Sequence, residues 1–327
     1  MTGGNMVYAE AKPMDSNEIP VIDITSLRDG TDPHSVAKDL HAASTGLGFI
    51  YISGHGIPET CISAARNLAF DFFRSPPEQK ETVRVSASHR GWLASGGAKM
   101  GDKLKADLKE SFVWGMQDEN GDTVADHPLR GRNQWPEFLP DVEPAAMDYF
   151  RQAHEVAHHL MRGFALGLGL EEGFFLKTAS RPLSRASFVY YPAQPEDMGV
   201  DQFGVGPHTD FGVMTLLCQD AVGGLQIENI DGEWLQAPPI EGTLIVNVAD
   251  LLARWTGGAY KSTPHRVVNS SGRERLSLVL AFDPNPETVI DARQIFGVGH
   301  MPAESATTCG EYLQWRFDRA FAYRKTE

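Results

Sequence analysis

Gly206-Pro-His208-Thr-Asp210-Phe-Gly212 is the stretch on which the reading of this chain turns, because Ser262-Thr-Pro-His265-Arg266 answers it far downstream. Residues two apart on an extended strand share a face, so His208 and Asp210 point together and Thr209 points away. His265, from a distant strand, can close a three-point site. Two imidazole nitrogens and one carboxylate on one face of an octahedral metal leave the opposite face open to small molecules.

The text around that stretch is strand grammar. After Pro182, apolar runs span Ala186 to Tyr191, Val213 to Cys218, Leu225 to Glu228, Thr243 to Val248, His265 to Asn269, Leu276 to Phe282 and Thr288 to Ile290. Turn signals separate them at Gly223-Gly224, Asp231-Gly232, Glu241-Gly242, Gly257-Gly258, Ser271-Gly272 and Pro284-Asn285-Pro286. Short strands divided this way predict a sandwich or jelly roll, not a parallel sheet with helical crossovers. No glycine-rich phosphate loop joins a strand to a helix, which removes the main support for a nucleotide fold.

The half before Pro182 reads as mixed. Residues 1–18 are polar and expected to be loose, and Ile19 to Asp23 reads as an edge strand with Pro20 near its start. A helix is expected from His34 to Thr45, a buried strand from Gly46 to Ser53, and a second helix from Pro58 to Phe73, closed by Pro76-Pro77. Val83 to Arg132 reads as a long loop region interrupted by a strand at Glu110 to Trp114. Pro144 to Leu170 keeps the helical period throughout, and Cys309 to Tyr323 forms a closing helix with an aromatic side. His154 and His158 stand one turn apart on the long helix but lack the acidic partner of a metal-binding helix, so they read as packed or surface histidines. The organisation expected is residues 19–182 packed on a catalytic core of residues 183–327.

Lys and Arg total 29 against 43 Asp and Glu, a net charge of −14. Such a chain is a poor partner for nucleic acid. Its three cysteines, Cys61, Cys218 and Cys309, form no paired motif and read as reduced thiols. No apolar run is long enough for a signal peptide or membrane helix, so a cytoplasmic protein is expected. Nothing in the sequence specifies an oligomeric state.

Arg275 and Ser277 are the next pair on one strand face, with Leu276 and Leu278 opposite. A guanidinium fork and a hydroxyl converging inside a β-walled chamber form a socket for a carboxylate. Tyr191, before Pro192 on an earlier strand, can add its phenol or simply line the core.

Several motifs together resemble the isopenicillin N synthase-like branch of the Fe(II)/2-oxoglutarate-dependent dioxygenases. They are His208-Thr-Asp-Phe-Gly212, Gly223-Gly-Leu-Gln226, Ser262-Thr-Pro-His-Arg-Val267 and Arg275-Leu-Ser277. Earlier echoes are Ile19-Pro-Val-Ile-Asp23, Gly48-Phe49, His55-Gly-Ile57, Asn133-Gln-Trp-Pro136 and Arg162-Gly-Phe-Ala-Leu166. The resemblance implies a double-stranded β-helix (jelly-roll, cupin-like) core flanked by N-terminal helices, one long central helix and a C-terminal helix. It implies iron at His208, Asp210 and His265, and the tail carboxylate of 2-oxoglutarate at Arg275, Ser277 and Tyr191. It departs from many 2-oxoglutarate users at Val189, where they carry Asn, and the family's Asn-x-Gly-Asp reads Asn247-Val-Ala-Asp250 here, a change expected to matter for packing only.

The activity implied is oxidation of an unactivated C–H of a small molecule by hydroxylation, desaturation or ring closure. Fe(II), 2-oxoglutarate and O2 are consumed or held, and succinate and CO2 are released. The alternative is an oxidase of the synthase kind, in which a short peptide-like substrate supplies all the electrons and Arg275 grips that substrate. A non-enzymatic ligand-binding jelly roll and a zinc hydrolase are further readings of the same three residues. Substrate contacts are expected from the loop Ser88 to Lys105 and the closing helix. Arg90 and Trp92, with Phe211 and Phe282, are the candidates; Lys103, Lys105 and Phe203 are weaker ones, open also to solvated or core roles.

Overall fold

The structure is a computed structural model, and it describes residues 9–14, 18–98, 105–117, 126–194 and 199–325. The first half runs β1 (Val21–Asp23), α1 (Thr25–Asp29), α2 (Pro33–Thr45), β2 (Phe49–Ser53), α3 (Glu59–Arg74), α4 (Pro77–Glu81), β3 (Gly91–Leu93), β4 (Glu110–Gly115) and α5 (Val142–Gly167). The second half runs β5 (Arg185–Tyr191), β6 (Val205–His208), β7 (Met214–Gln219), β8 (Leu225–Glu228), β9 (Trp234–Gln236), β10 (Leu244–Val248), α6 (Asp250–Trp255), β11 (His265–Val267) and β12 (Arg275–Phe282). It closes with β13 (Val289–Ile290), α7 (Arg293–Phe296), β14 (Thr307–Thr308) and α8 (Cys309–Ala320).

Two sheets make the jelly roll. The larger has eight strands in the order β1-β2-β10-β7-β12-β5-β4-β3, and the smaller is β6-β11-β8-β9. Only β1 and β2 pair in parallel within them. Strand alternation explains which side each residue takes. On β12, Leu276, Leu278, Leu280 and Phe282 join the core cluster that α2, α3 and α5 cover. Arg275 and Val279, from the other set, line a cavity between the sheets. Phe49, Tyr51, Val189, Tyr191, Val205, Leu225, Ile227, Ile245 and Val267 form a second cluster on that inner side. The central helix α5 buries Ala146, Tyr149, Phe150, Ala153, Val156, Ala157, Leu160 and Phe164 against the back of the large sheet.

The expected architecture is the observed one, with differences at particular elements. Residues 9–14 do not hang loose: Lys12 N–H donates to the Trp234 carbonyl at 2.8 Å, and Gln236 N–H returns to Lys12 O at 2.8 Å. The loop region before the central helix holds a further strand, β3, which pairs with β4. His208 ends β6, while Asp210 lies in the loop beyond it and not on a continuous strand. No helix among the described residues is long and apolar enough to cross a membrane.

Candidate metal centre and adjoining cavity

Antiparallel pairing of β6 with β11 sets His208 directly opposite His265. Their rings stand 4.3 Å apart between centroids. The Nε2 atoms of both lie 3.7 Å from Asp210 Oδ1. The ligating atoms of the three residues all fall within 4.8 Å of one another, the one such cluster among the described residues.

Each imidazole is oriented from behind. His208 Nδ1 lies 2.8 Å from the Gly206 carbonyl, and His265 Nδ1 lies 3.2 Å from the Thr263 carbonyl. A carbonyl only accepts, so Nδ1 carries the proton in each ring and Nε2 keeps a lone pair for a metal. Burial, with His265 alongside, pushes His208 well below its ordinary value, which favours the neutral ring. Burial pushes the Asp210 carboxyl up, but His265, His208, the Thr215 hydroxyl and the Asn247 amide oppose it and hold it below its ordinary value. Asn247 Nδ2 donates to Asp210 Oδ2 at 2.8 Å, which turns Oδ1 toward the imidazoles.

The loop after His208 is packed too tightly for side chains at every position. A Cβ on Gly212 would sit 2.0 Å from Asp283 Oδ1, so glycine permits Asp283 to accept the Val213 N–H at 3.1 Å. Asp283 is fully buried and pairs with Arg185 at 2.6 Å.

A cavity of about 200 Å³ opens beside the triad. Arg275 lines it and is 0 % exposed. Its Nε donates to the Gly223 carbonyl and its Nη2 to Gln219 Oε1, but Nη1 has no partner among the described residues. Ser277 Oγ, also buried, has none either. Tyr191 faces Arg275 across the strands, with its ring centroid 4.6 Å from the guanidinium carbon. A buried cation with one nitrogen unmet and no carboxylate beside it among the described residues, and a buried hydroxyl without an acceptor, are costly unless an anion meets them. The socket therefore fits a carboxylate, and the triad fits a divalent metal with open positions.

The other cations of the wall have acidic neighbours. Arg185 is held by Asp283 and stacks on Phe317. Lys109 stands 3.8 Å from Asp107 Oδ2, too far for a hydrogen bond, and lines the cavity with Ser111 and Ser187. Leu93, Phe211, Phe317 and Phe321 make its apolar part.

Among the expected substrate residues, Phe211 lines the cavity, but Arg90, Trp92 and Phe282 do not. Arg90 is buried behind the wall, where its guanidinium donates to the carbonyls of Ser88, His89 and Leu129. Trp92 Nε1 donates to Glu110 at 2.7 Å. Phe282 packs on His154 and His158 from the far side of β12. Phe203 sits in a small outer cluster with Ala9 and Val268, Lys105 pairs with Asp201 on the surface, and Lys103 lies outside the described residues. His154 is buried and lies 3.2 Å from the Ser184 hydroxyl.

Lys109 and His89 line the cavity although the sequence does not single them out, and Asn247, which the resemblance places in a packing motif, instead bonds Asp210. Asn247 had a signal, as the polar residue within the apolar run Leu244–Val248. Lys109 had a weaker one, because Asp107, Lys109, Ser111 and Val113 alternate into a strand. His89, at a left-handed φ of 60°, stacks among Phe317, Phe321 and Tyr323. Nothing local predicts it.

Comparison with known proteins agrees with this geometry. Residues 19–138 match the family model for the non-haem dioxygenase in morphine synthesis N-terminal region, and residues 184–284 match the 2OG-Fe(II) oxygenase superfamily. The chain is 33% identical over 328 residues to a 2-oxoglutarate-Fe(II) type oxidoreductase of Emericella nidulans, covering 94% of this chain and 92% of that one. It is 32% identical over 295 residues to a homoarginine-6-hydroxylase of Glycine max, covering 85% and 88%. The crystal structure of a full-length Neurospora crassa protein in complex with alpha-KG and thymine superposes with a TM-score of 0.82 at 28% identity, covering 94% and 98%. These similarities favour use of 2-oxoglutarate over the oxidase reading. The chain belongs to the 2OG-Fe(II) oxygenase superfamily and is an oxidoreductase that uses Fe(II), 2-oxoglutarate and O2.

Proposed function

We propose that His208 Nε2, His265 Nε2 and Asp210 Oδ1 bind the iron, and that Arg275 and Ser277, with Tyr191 beneath, hold the far carboxylate of 2-oxoglutarate. The observation that carries this is the buried guanidinium of Arg275, with one free nitrogen, in the wall of the cavity that the triad also lines. When bound, iron, 2-oxoglutarate and O2 supply the oxidising power to functionalise an unactivated C–H.

The chain's own residues bind, orient and exclude water. The Gly206 and Thr263 carbonyls fix both imidazoles, and Asn247 fixes the carboxylate. Arg275 and Ser277 set the keto acid lengthwise by gripping one end of it. Leu93, Phe211, Phe317 and Phe321 keep the reaction space dry and supply the surface on which a small-molecule substrate lies. Lys109, Ser111 and Ser187 are the polar groups that such a substrate meets. Homoarginine and thymine, named with two of the similar proteins, are both small polar molecules. They support a substrate of that size. The motif set supports the isopenicillin N synthase-like branch.

Succinate release tests the assignment. Wild-type protein with Fe(II) and 2-oxoglutarate forms succinate, and Arg275→Ala does so only at much higher 2-oxoglutarate. An unchanged requirement in the variant would overturn the socket.

A further inference from the structure

We propose that Arg316, on the C-terminal helix α8, is a positioning residue for the metal centre: it locks Asp250, and through Asp250 both segments that carry the metal ligands. This rests on the metal assignment above. Arg316 lies beyond the residues that either family model matches.

The loop of residues 209–212 belongs to no strand, so sheet pairing does not hold Asp210. Asn247 on β10 holds its carboxylate, and groups from two helices hold the backbone around it. Asp250 N–H, in the first turn of α6, donates to the Asp210 carbonyl at 2.9 Å, and Leu251 N–H donates to the Gly212 carbonyl at 2.8 Å. From the other side, Arg316 stacks on Phe211, with its guanidinium carbon 4.1 Å from the ring centroid. Arg316 Nη2 also reaches the Thr209 carbonyl at 3.5 Å. The residues on either side of Asp210 are therefore both touched by one guanidinium.

Asp250 is where these contacts meet. Its Oδ1 accepts the Ser262 hydroxyl at 2.7 Å, and Ser262 precedes Thr263, whose carbonyl orients His265. Its Oδ2 accepts the Tyr312 hydroxyl at 3.0 Å and the guanidinium of Arg316. Both charges are largely withdrawn from solvent, at 13% and 23% side-chain exposure, so the pair is weakly screened. Removing Arg316 leaves Asp250 with a charge that only neutral donors meet, and it uncaps Phe211. A partly buried acid that loses its cation turns toward water. Its backbone bond to Asp210 and its side-chain bond to Ser262 then shift together. Groups that orient metal ligands set affinity by about 10–100-fold.

The test uses the full chain, stripped of metal and titrated anaerobically with Fe(II) against a chromophoric chelator. Wild type binds tightly. Arg316→Ala binds Fe(II) about tenfold or more weakly, Arg316→Lys falls between, and the double variant with Asp250→Asn is no worse than Arg316→Ala alone. The thermal midpoint of the metal-free protein falls with the loss of the ion pair, and the further stabilisation that Fe(II) adds shrinks as well. Wild-type affinity in Arg316→Ala overturns the proposal. So do additive losses in the double variant. Should Arg316→Ala fail to fold, Arg316→Gln, which keeps a stem over Phe211, decides by the same affinity. A wild-type protein that binds no Fe(II) would instead overturn the metal assignment itself, and this inference with it.

Discussion

Asn247 donates from Nδ2 to Asp210 Oδ2 at 2.8 Å, so the one carboxylate of the triad has a fixed face toward the two imidazoles. Asn247 is itself 3% exposed on β10, next to the strand that carries Thr215. Replacing it with Asp keeps the shape and removes the donor. Fe(II) affinity of Asn247→Asp is expected to fall about 10–100-fold, read by chelator competition. Unchanged affinity would show that the carboxylate is held by other means.

Arg275→Ala should raise the KM for 2-oxoglutarate strongly. Charge-assisted hydrogen bonds contribute about 1.5–3 kcal/mol each, so the loss of the fork amounts to roughly tenfold or more. The metal centre is untouched, so Fe(II) affinity in the absence of keto acid should stay at the wild-type level. A loss of Fe(II) affinity equal to the loss of 2-oxoglutarate affinity would argue against a separate socket.

Acid should destabilise the fold through its buried histidines. Burial, with His158 next to it, pushes His154 down from an ordinary 6.5 to about 3. The unfolded chain then binds a proton between those values that the folded chain refuses. Stability supplied by the neutral ring is fully present above about pH 6.5 and declines as pH falls toward 3, by up to about 1.4 kcal/mol per pH unit per proton. Denaturant titrations from pH 7 to pH 5 should show this slope in the wild type and a shallower one in His154→Phe. Equal slopes would place the acid sensitivity elsewhere.

The thiols should be inert in the native state. Burial pushes Cys61 up to about 12, Cys218 up to about 11 and Cys309 well above its usual range. None pairs with another. A thiol-reactive dye at pH 8 should label the folded protein far more slowly than the urea-unfolded one. Rapid labelling of the native protein would contradict the burial.

Much of the core and the triad was legible in the sequence, because a period of two assigns faces without any knowledge of neighbours. The pairings of His208 with Asp210 and of Arg275 with Ser277 rest on that period, although Asp210 lies just past its strand. The same alternation separates Phe282 from the cavity. Phe282 shares parity with Leu276, Leu278 and Leu280, which face α5, and not with Arg275. Arg90 and Trp92 misled for a different reason. A charge and a ring in a glycine-rich stretch look free, yet Arg90 is spent on three carbonyls and Trp92 on Glu110. Asp250 carries a motif clue in Asn247-Val-Ala-Asp250, but its partnership with Arg316 is illegible because it spans sixty-six positions and depends on how α8 docks. Asn247 carried a local clue, a polar side chain in an apolar run, but no clue to its partner.

The most direct test of the metal and keto-acid assignment is the visible absorption of the anaerobic Fe(II) protein mixed with 2-oxoglutarate. The wild type should develop a weak charge-transfer band that is lost in Asp210→Ala and His265→Ala, and that needs far more 2-oxoglutarate in Arg275→Ala. A wild-type protein that holds Fe(II) yet shows no band, or a band that survives intact in both ligand variants, would contradict the account.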